Sequence, residues 1–370
     1  MKNSFGSALT VTLFGESHGD MIGAVLDGLA PGIKIDDEYI RSRLDMRRPV
    51  GSISTKRREA DNYRIVSGAY NGYTTGTPLC ILIPNEDTKS ECYSAFSDTP
   101  RPSHADYTAE CKYHGYQDPR GGGHFSGRIT AALVACGAIA ASALSSKGIY
   151  IGTHLYSLAS VSERSFVDFS TEELYRAQKS LDVSEFAVLD ENVKEKMIKK
   201  IENAAKDGDS VGGVLESCIL GLPVGLGEPW FDSMESQIAH ILFSVPGVKG
   251  VEFGRGFELS KMRGSEANDP FFTDGKSVMT KTNNGGGILG GITSGMPVTV
   301  RTAVKPTPSI YLTQDSVSLS GMTNERLTIS GRHDPAIVHR ARAVVDAALA
   351  LSVLDMLTVR YGTDYAVKKR

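Results

Sequence analysis

The sequence predicts an α+β fold, and three observations lead there. Strand-like and helix-like stretches are both abundant, they do not alternate strictly as βα units, and no clear linker divides the 370 residues. With 41% hydrophobic and 22% charged residues the composition is that of a soluble globular chain. One large domain over residues 1–370 is the expectation.

The elements follow in order. Residues 8–14 and 22–27 read as strands around the turn Gly15-Glu16-Ser17-His18-Gly19, with DGLAPG ending the second. Residues 36–48 read as a helix, acidic at its start and basic at its end as the helix dipole favours. A polar, basic loop follows. YRIVSGAY and TPLCILIP read as strands, and 84–103 as loop. SHADYTAECKYHG reads as a short helix, after which the glycine loop DPRGGGHFSG leads into an alanine-rich helix reaching about Lys147. Its apolar stretch, Ile129–Leu144, is short for a membrane span and rich in small residues, so a buried helix is expected and no membrane partner.

Ser170 and Glu173 stand at capping-box spacing. Residues 190–209 carry apolar positions at helical spacing, 211–225 are strand-like, and the helix from Trp230 is stopped by Pro246. GVEFGRGF and MPVTVRTAV read as strands. Residues 263–287 form a polar, glycine-rich segment too long for an idle connection. A last helix is expected with Asp334 at its N-cap and Pro335 at its first position. Residues 16–32 faintly echo 207–225, which suggests an internal duplication of a strand–helix unit.

A net charge of −3 argues against general nucleic-acid binding. The five cysteines are odd in number and form no C-x-x-C pair, so neither a zinc site nor a disulfide framework is expected. With no apolar leader at the N-terminus, a cytoplasmic location is the expectation.

GESHG matches the G-x-S-x-G form of a hydrolase nucleophile elbow, which sits between a strand and a helix. Here MIGAVLDG after it reads as a second strand, which disfavours Ser17 as a nucleophile. Arg41, Arg43, Arg47, Arg48, Lys56, Arg57 and Arg58 fall within eighteen residues. The plain reading is a solvated face; the alternatives are a clamp for a small anionic substrate or an RNA-binding patch. Gly121–Gly123 and Gly127 flank His124, Phe125 and Ser126 just before a helix, where free N–H groups favour an anion. His104 lies near a helix start, Arg332 and His333 beside Asp334, and Lys305, Thr307 and Ser309 in a loop that could donate to an anion.

In order along the chain, FGESHG, RRP, RREAD, TGTP, RPSHADYT, GGGHFSGRIT, GDSVGG, GLGEP, VKGVEFG, GGGILGGI, KPTPS and GRHDP resemble the motifs of the chorismate synthase family. The resemblance spans Phe14 to Pro335. It implies a β-α-β sandwich and a lyase that takes 5-enolpyruvylshikimate 3-phosphate to chorismate by 1,4-anti elimination of phosphate. It also implies reduced FMN as cofactor, NAD(P)H as indirect reductant, and a homotetramer. A separate flavin reductase is an expected partner unless the chain has that activity itself.

By resemblance His18, His104 and Asp334 are catalytic. Arg47, Arg48, Arg57, Ser17 and Ser126 would bind substrate, joined by Arg58 in the clamp. His124, Phe125, Ser126, Gly290, Lys305, Pro306, Thr307, Pro308, Ser309 and Arg332 would hold the flavin. No metal is implied. The chain departs from the commoner family pattern at His124-Phe125, where Arg-Ser is usual, at Pro308, where a hydroxyl residue is usual, and at Ser103, where glycine is common. Ser103 reads as a helix N-cap.

Overall fold

The computed structural model describes residues 2–49, 53–54, 60–86, 98–329, 331 and 333–367. Two five-stranded antiparallel sheets enclose a helical layer. The first sheet is built from Ser4–Phe5 (β1), Thr10–Gly15 (β2), Met21–Asp27 (β3), Arg64–Ser67 (β4) and Leu79–Pro84 (β5), in the order β1-β2-β3-β5-β4. Its residues alternate cleanly. Ile22, Ala24 and Leu26 with Leu79, Ile81 and Ile83 point inward and are buried, as the two-residue period of a half-buried sheet requires.

The second sheet joins Tyr150–Leu158 (β6), Val161–Ser162 (β7), Gly213–Leu220 (β8), Val248–Phe253 (β9) and Val298–Val304 (β10), in the order β9-β10-β8-β6-β7. The strand β6 is absent from the sequence reading. Its residues 152–155 are buried in succession because helices cover both faces, so no alternation marks it.

Between the sheets run Thr130–Ser145 (α3) and the long C-terminal helix Val338–Tyr361 (α7). The other helices used below are Asp37–Asp45 (α1), Asp106–Tyr113 (α2), Thr171–Asp182 (α4), Glu191–Lys206 (α5) and Met234–Ser244 (α6). Every residue of α3 from Thr130 to Ala140 is buried, so its apolar length reflects a core position. A Cβ on Gly137 would fall 2.3 Å from the Cβ of Ala347, so only glycine allows α3 and α7 to pack this closely. One apolar cluster joins both sheets to these helices, while α4 packs on the outer face of the second sheet in a smaller cluster with Phe166, Cys218 and Leu220.

The segment 263–287, read as too long for an idle connection, holds a helical turn, Gly264–Ala267, and a hairpin, Phe271–Thr273 with Val278–Thr280. Two expectations change. The helix α7 starts at Val338 with Ile337 at its N-cap, so Asp334 does not cap it and Pro335 is not its first residue. Asp334 instead faces Arg340, one turn into the helix, which satisfies its carboxylate better than the helix amides would. Ser103 is no N-cap either. The N-cap of α2 is Ala105, and Ser103 sits in the left-handed region at φ 58°. The capping box at Ser170–Glu173 is present as expected.

Candidate active site

The turn between β2 and β3 is a β-turn over Glu16–Gly19, closed by the Gly19 amide donating to the Glu16 carbonyl at 3.1 Å. Ser17 and His18 are its two central residues, and both are buried. Because β3 follows directly, the turn lacks the helix of a nucleophile elbow. The glycine loop 120–126 closes over it. The Ser17 amide donates to the Gly123 carbonyl at 3.1 Å, the Ser17 hydroxyl to the Arg120 carbonyl at 3.3 Å, and His124 Nδ1 to the Gly15 carbonyl at 2.8 Å. Ser17 Oγ and His18 Nδ1 lie 3.1 Å apart. A Cβ on Gly121, whose φ is 61°, would stand 2.1 Å from His18 Cε1, so the imidazole is seated against bare backbone.

Behind the loop opens a cleft of about 1240 Å³. Its lining includes Arg47, Arg48, His104, Gly121, Gly122, His124, Phe125, Ser126, Lys305, Pro308, Ser309 and Asp334. Residues between positions 47 and 334 are thus brought to one place. Ser17 and His18 lie behind the Gly121–Gly122 wall and not in the lining. Pro306 and Thr307 are also set back; the Thr307 carbonyl accepts from Ser210 at 2.7 Å. Gly290 is away from the cleft, at the tip of the hairpin Ile288–Leu289 with Ile292–Thr293. Lys56, Arg57, Arg58 and Arg332 lie outside the described residues.

His104 is held at both ring nitrogens. Nδ1 donates to the Pro102 carbonyl at 3.1 Å, and Nε2 meets the Ser309 hydroxyl at 2.9 Å. Burial, then the neighbouring charges of Arg101 and Lys305, push its pKa down to about 4 against the weaker pull of Pro102 and Asp106. Arg101 grips Asp106 with a two-pronged fork at 2.7 and 2.8 Å. Burial raises the Asp106 carboxyl, but that fork outweighs it and holds the group below its usual range. Lys305 reaches the Ser103 carbonyl at 2.6 Å, and burial followed by the charge of Lys249 lowers its pKa. Phe125 packs edge-on against Tyr113.

The basic cluster divides by task. Arg41 pairs with Asp37 on its own helix and Arg43 with Asp182, both away from the cleft. Arg47 holds Asp61 at 2.7 Å and the Thr130 hydroxyl and Gly127 carbonyl at 3.1 Å, which ties the end of α1 to the start of α3. Arg48 pairs with Asp45 and the Ala60 carbonyl, and its side chain is 42% exposed. Asp334 accepts from Arg340 at 2.6 Å, and Arg340 also donates to the Arg47 carbonyl.

Sequence reasoning gave no role to Asp61, Asn85, Arg101, Asp106, Arg128 or Arg340. Asp61 and Arg101 lay inside quoted motifs, next to residues that were named. Their signal was a buried opposite charge, visible only once the chain is folded. Among the described residues no group of three or more His, Cys, Asp or Glu side chains could hold a metal ion.

The family model for chorismate synthase matches residues 9–358. The chorismate synthase of Thermococcus gammatolerans is 45% identical over 363 residues, covering 98% of this chain and 99% of that one. The Pyrococcus abyssi protein is 45% identical over 355 residues, covering 96% and 97%. The Dehalococcoides mccartyi protein is 44% identical over 357 residues, covering 96% of each. A crystal structure of chorismate synthase superposes with a TM-score of 0.77 at 29% identity, covering 97% of this chain and 94% of that one. Sequence, fold and the ordered motifs agree: the chain belongs to the chorismate synthase family.

Proposed function

We propose that this chain is the lyase that converts 5-enolpyruvylshikimate 3-phosphate to chorismate and phosphate, the last step of the shikimate pathway. One observation carries the reading beyond family membership. Arg48, His104, the glycine loop, Lys305, Ser309 and Asp334 line a single cleft although they are scattered along the sequence. The net reaction breaks the carbon–oxygen bond to phosphate and removes a proton from another ring carbon. It therefore needs a proton donor near the leaving oxygen, a proton acceptor, and cations for a phosphate and two carboxylates.

The chain offers each of these. Arg48 and Lys305 present positive charge to the cleft. The half-buried His104 is neutral in the free protein, and a phosphate dianion beside it would raise its proton affinity. One of His18 and His104 hands a proton to the departing phosphate, and the other keeps the flavin side of the cleft in its working protonation state. Asp334, oriented by Arg340, serves the proton leaving the ring. Ser17 and Ser126 orient and do not attack.

Reduced FMN, when bound, supplies electron density that makes phosphate loss feasible. The cleft fits it. Pockets for a single small ligand are roughly 300–1,000 Å³, so this one has room for flavin and substrate together. Gly122, with φ of 101° and nothing nearer to a Cβ placed on it than Ser126 at 3.9 Å, exposes backbone where a ring or phosphate can approach closely. Lys305, Pro308, Ser309, His124, Phe125 and Ser126 would hold it, with NAD(P)H as the indirect reductant. His124 stands where an arginine would bring a permanent charge and a fork of donors to an anion, so the anion is held less firmly here.

The protein is proposed to act in the cytoplasm as a homotetramer. Trp230, Phe231 and Phe257, each more than 80% exposed, support self-association.

Anaerobic incubation with 5-enolpyruvylshikimate 3-phosphate and chemically reduced FMN tests the activity. Chorismate absorbance and free phosphate should rise together. Folded protein that forms no product with both present overturns the assignment.

A further inference from the structure

A residue outside the catalytic set also fastens the Ser17–His18 turn. Asn85, just past the end of β5, is half-buried. Its side-chain amide nitrogen donates to the Glu16 carbonyl at 2.9 Å and to the Gly19 carbonyl at 2.8 Å. These are the first and last residues of the β-turn, so one NH2 group brackets the Ser17–His18 pair. Its backbone amide donates to the Asp20 carbonyl at 3.1 Å.

The other end of the same amide faces the opposite way. Asn85 Oδ1 accepts from Arg128 Nε at 2.9 Å. With two carbonyls on one side and a guanidinium on the other, only one orientation of the amide satisfies all three contacts. Arg128 continues to the Pro84 carbonyl at 3.0 Å and to Asp61, whose second oxygen takes Arg47. Asp61 is itself buried and held at φ 48°. A polar chain therefore runs from the histidine turn through Asn85, Arg128 and Asp61 to Arg47 on the cleft wall.

We propose that Asn85 is a positioning residue of this active site, which fixes the seat of His18 and locks it in register with the Arg128–Asp61–Arg47 chain. The proposal rests on the reading of His18 as a working residue. The glycine loop holds the turn at Ser17. Asn85 adds the side-chain bonds to its two end carbonyls, at Glu16 and Gly19. No other residue type of this size offers two donors on one face and an acceptor on the other.

Asn85→Asp is the informative change. It is nearly isosteric and keeps an acceptor for Arg128, but it sets a carboxylate oxygen against two carbonyls and opens the turn. The test is a double-mutant cycle with His18→Ala, read as kcat under anaerobic conditions with reduced FMN, with the His18 ring signals followed by NMR in the flavin-free protein. Asn85→Asp should lower kcat by about 30-fold in the wild-type background and by about 3-fold or less in the His18→Ala background, a coupling within the range of residues in one network. The His18 ring signals should move. An equal loss in both backgrounds, or unmoved ring signals, overturns the positioning role. Full turnover in His18→Ala alone overturns the reading beneath it, and is seen before Asn85 is changed. Should Asn85→Asp fail to fold, Asn85→Ser, which keeps a single donor, enters the same cycle under the same criteria.

Discussion

The Nε2 of His104 and the hydroxyl of Ser309, 205 residues apart in the chain, meet at 2.9 Å in the cleft. With Nδ1 committed to the Pro102 carbonyl, the neutral ring presents Nε2 as an acceptor, and the serine is the group that donates to it. His104→Ala should lower kcat by about 100-fold or more, the usual size of a lost general acid or base, with an unchanged circular-dichroism spectrum. Ser309→Ala should cost less. Near-normal turnover in His104→Ala removes it from the mechanism.

Burial drives the pKa values of both His104 and His339 down to about 4. The unfolded chain takes up these protons near pH 6.5, and the folded chain resists until about pH 4. The stability held by the two neutral rings is present above pH 6.5 and is lost as pH falls toward 4, by on the order of a few kcal/mol. Urea unfolding between pH 7 and 4 should show this slope. His339→Phe, which keeps the stack on Phe186, should flatten part of it.

A third histidine, His154, works in the opposite direction. Across the second sheet, His154, Glu216, Arg301 and Glu252 form one row of facing residues on adjacent strands. His154 lies between Glu163 at 2.9 Å and Glu216 at 3.0 Å. Desolvation alone would lower its pKa, but the two carboxylates outweigh it and raise it. Its stabilisation is therefore complete below pH 6.5 and fades as pH rises through the raised value. His154→Gln should destabilise the protein by about 3–5 kcal/mol, the range for breaking a buried pair. It should also remove the alkaline decline in unfolding free energy that the wild type shows.

Arg48 and Arg47 should separate kinetically. Arg48→Ala should raise KM at least about 10-fold with a smaller change in kcat, because one charge-assisted contact is worth about 1.5–3 kcal/mol. Arg47→Ala should lower stability by about 1–3 kcal/mol, since Asp61 loses one of its two cations while buried. An unchanged KM in Arg48→Ala returns that residue to the solvated helix surface.

Gly121→Ala tests the seat of His18 from the cleft side. The added methyl would overlap the imidazole at 2.1 Å and would also sit at φ 61°, so the ring or the loop must shift. A fall in kcat of at least about 10-fold with retained folding is expected. Ser103→Gly is the complementary case: removing the side chain at φ 58° relieves strain and should stabilise by up to about 1 kcal/mol.

What the chain discloses before folding depends on the range of each interaction. The strands β2, β3 and β5, the capping box of α4 and the buried helix α3 rest on neighbours two to four residues away, and those were legible. The motif residues of the site were legible because the resemblance carries them in order. Strand β6 was hidden, because burial on both faces erases its period. Asp61, Asn85 and Arg128 were hidden too, because their meaning lies in one another: Asp61 and Arg128 are separated by 67 residues and Asn85 and Arg128 by 43. The misplaced cap at Asp334 shares that cause, since a locally sound N-cap signal gave way to an arginine that reaches back from inside α7.

The close pairing of α3 with α7 through Gly137 and Ala347 also bears on synthesis. The helix at 130–145 leaves the ribosome long before residues 338–361 are made, and its apolar surface has no cover on that side until they arrive. The nascent chain must therefore carry an uncovered greasy helix through most of translation. A ribosome stalled or a gene truncated before codon 338 should release a product that binds chaperones or aggregates, even though the first sheet is already complete.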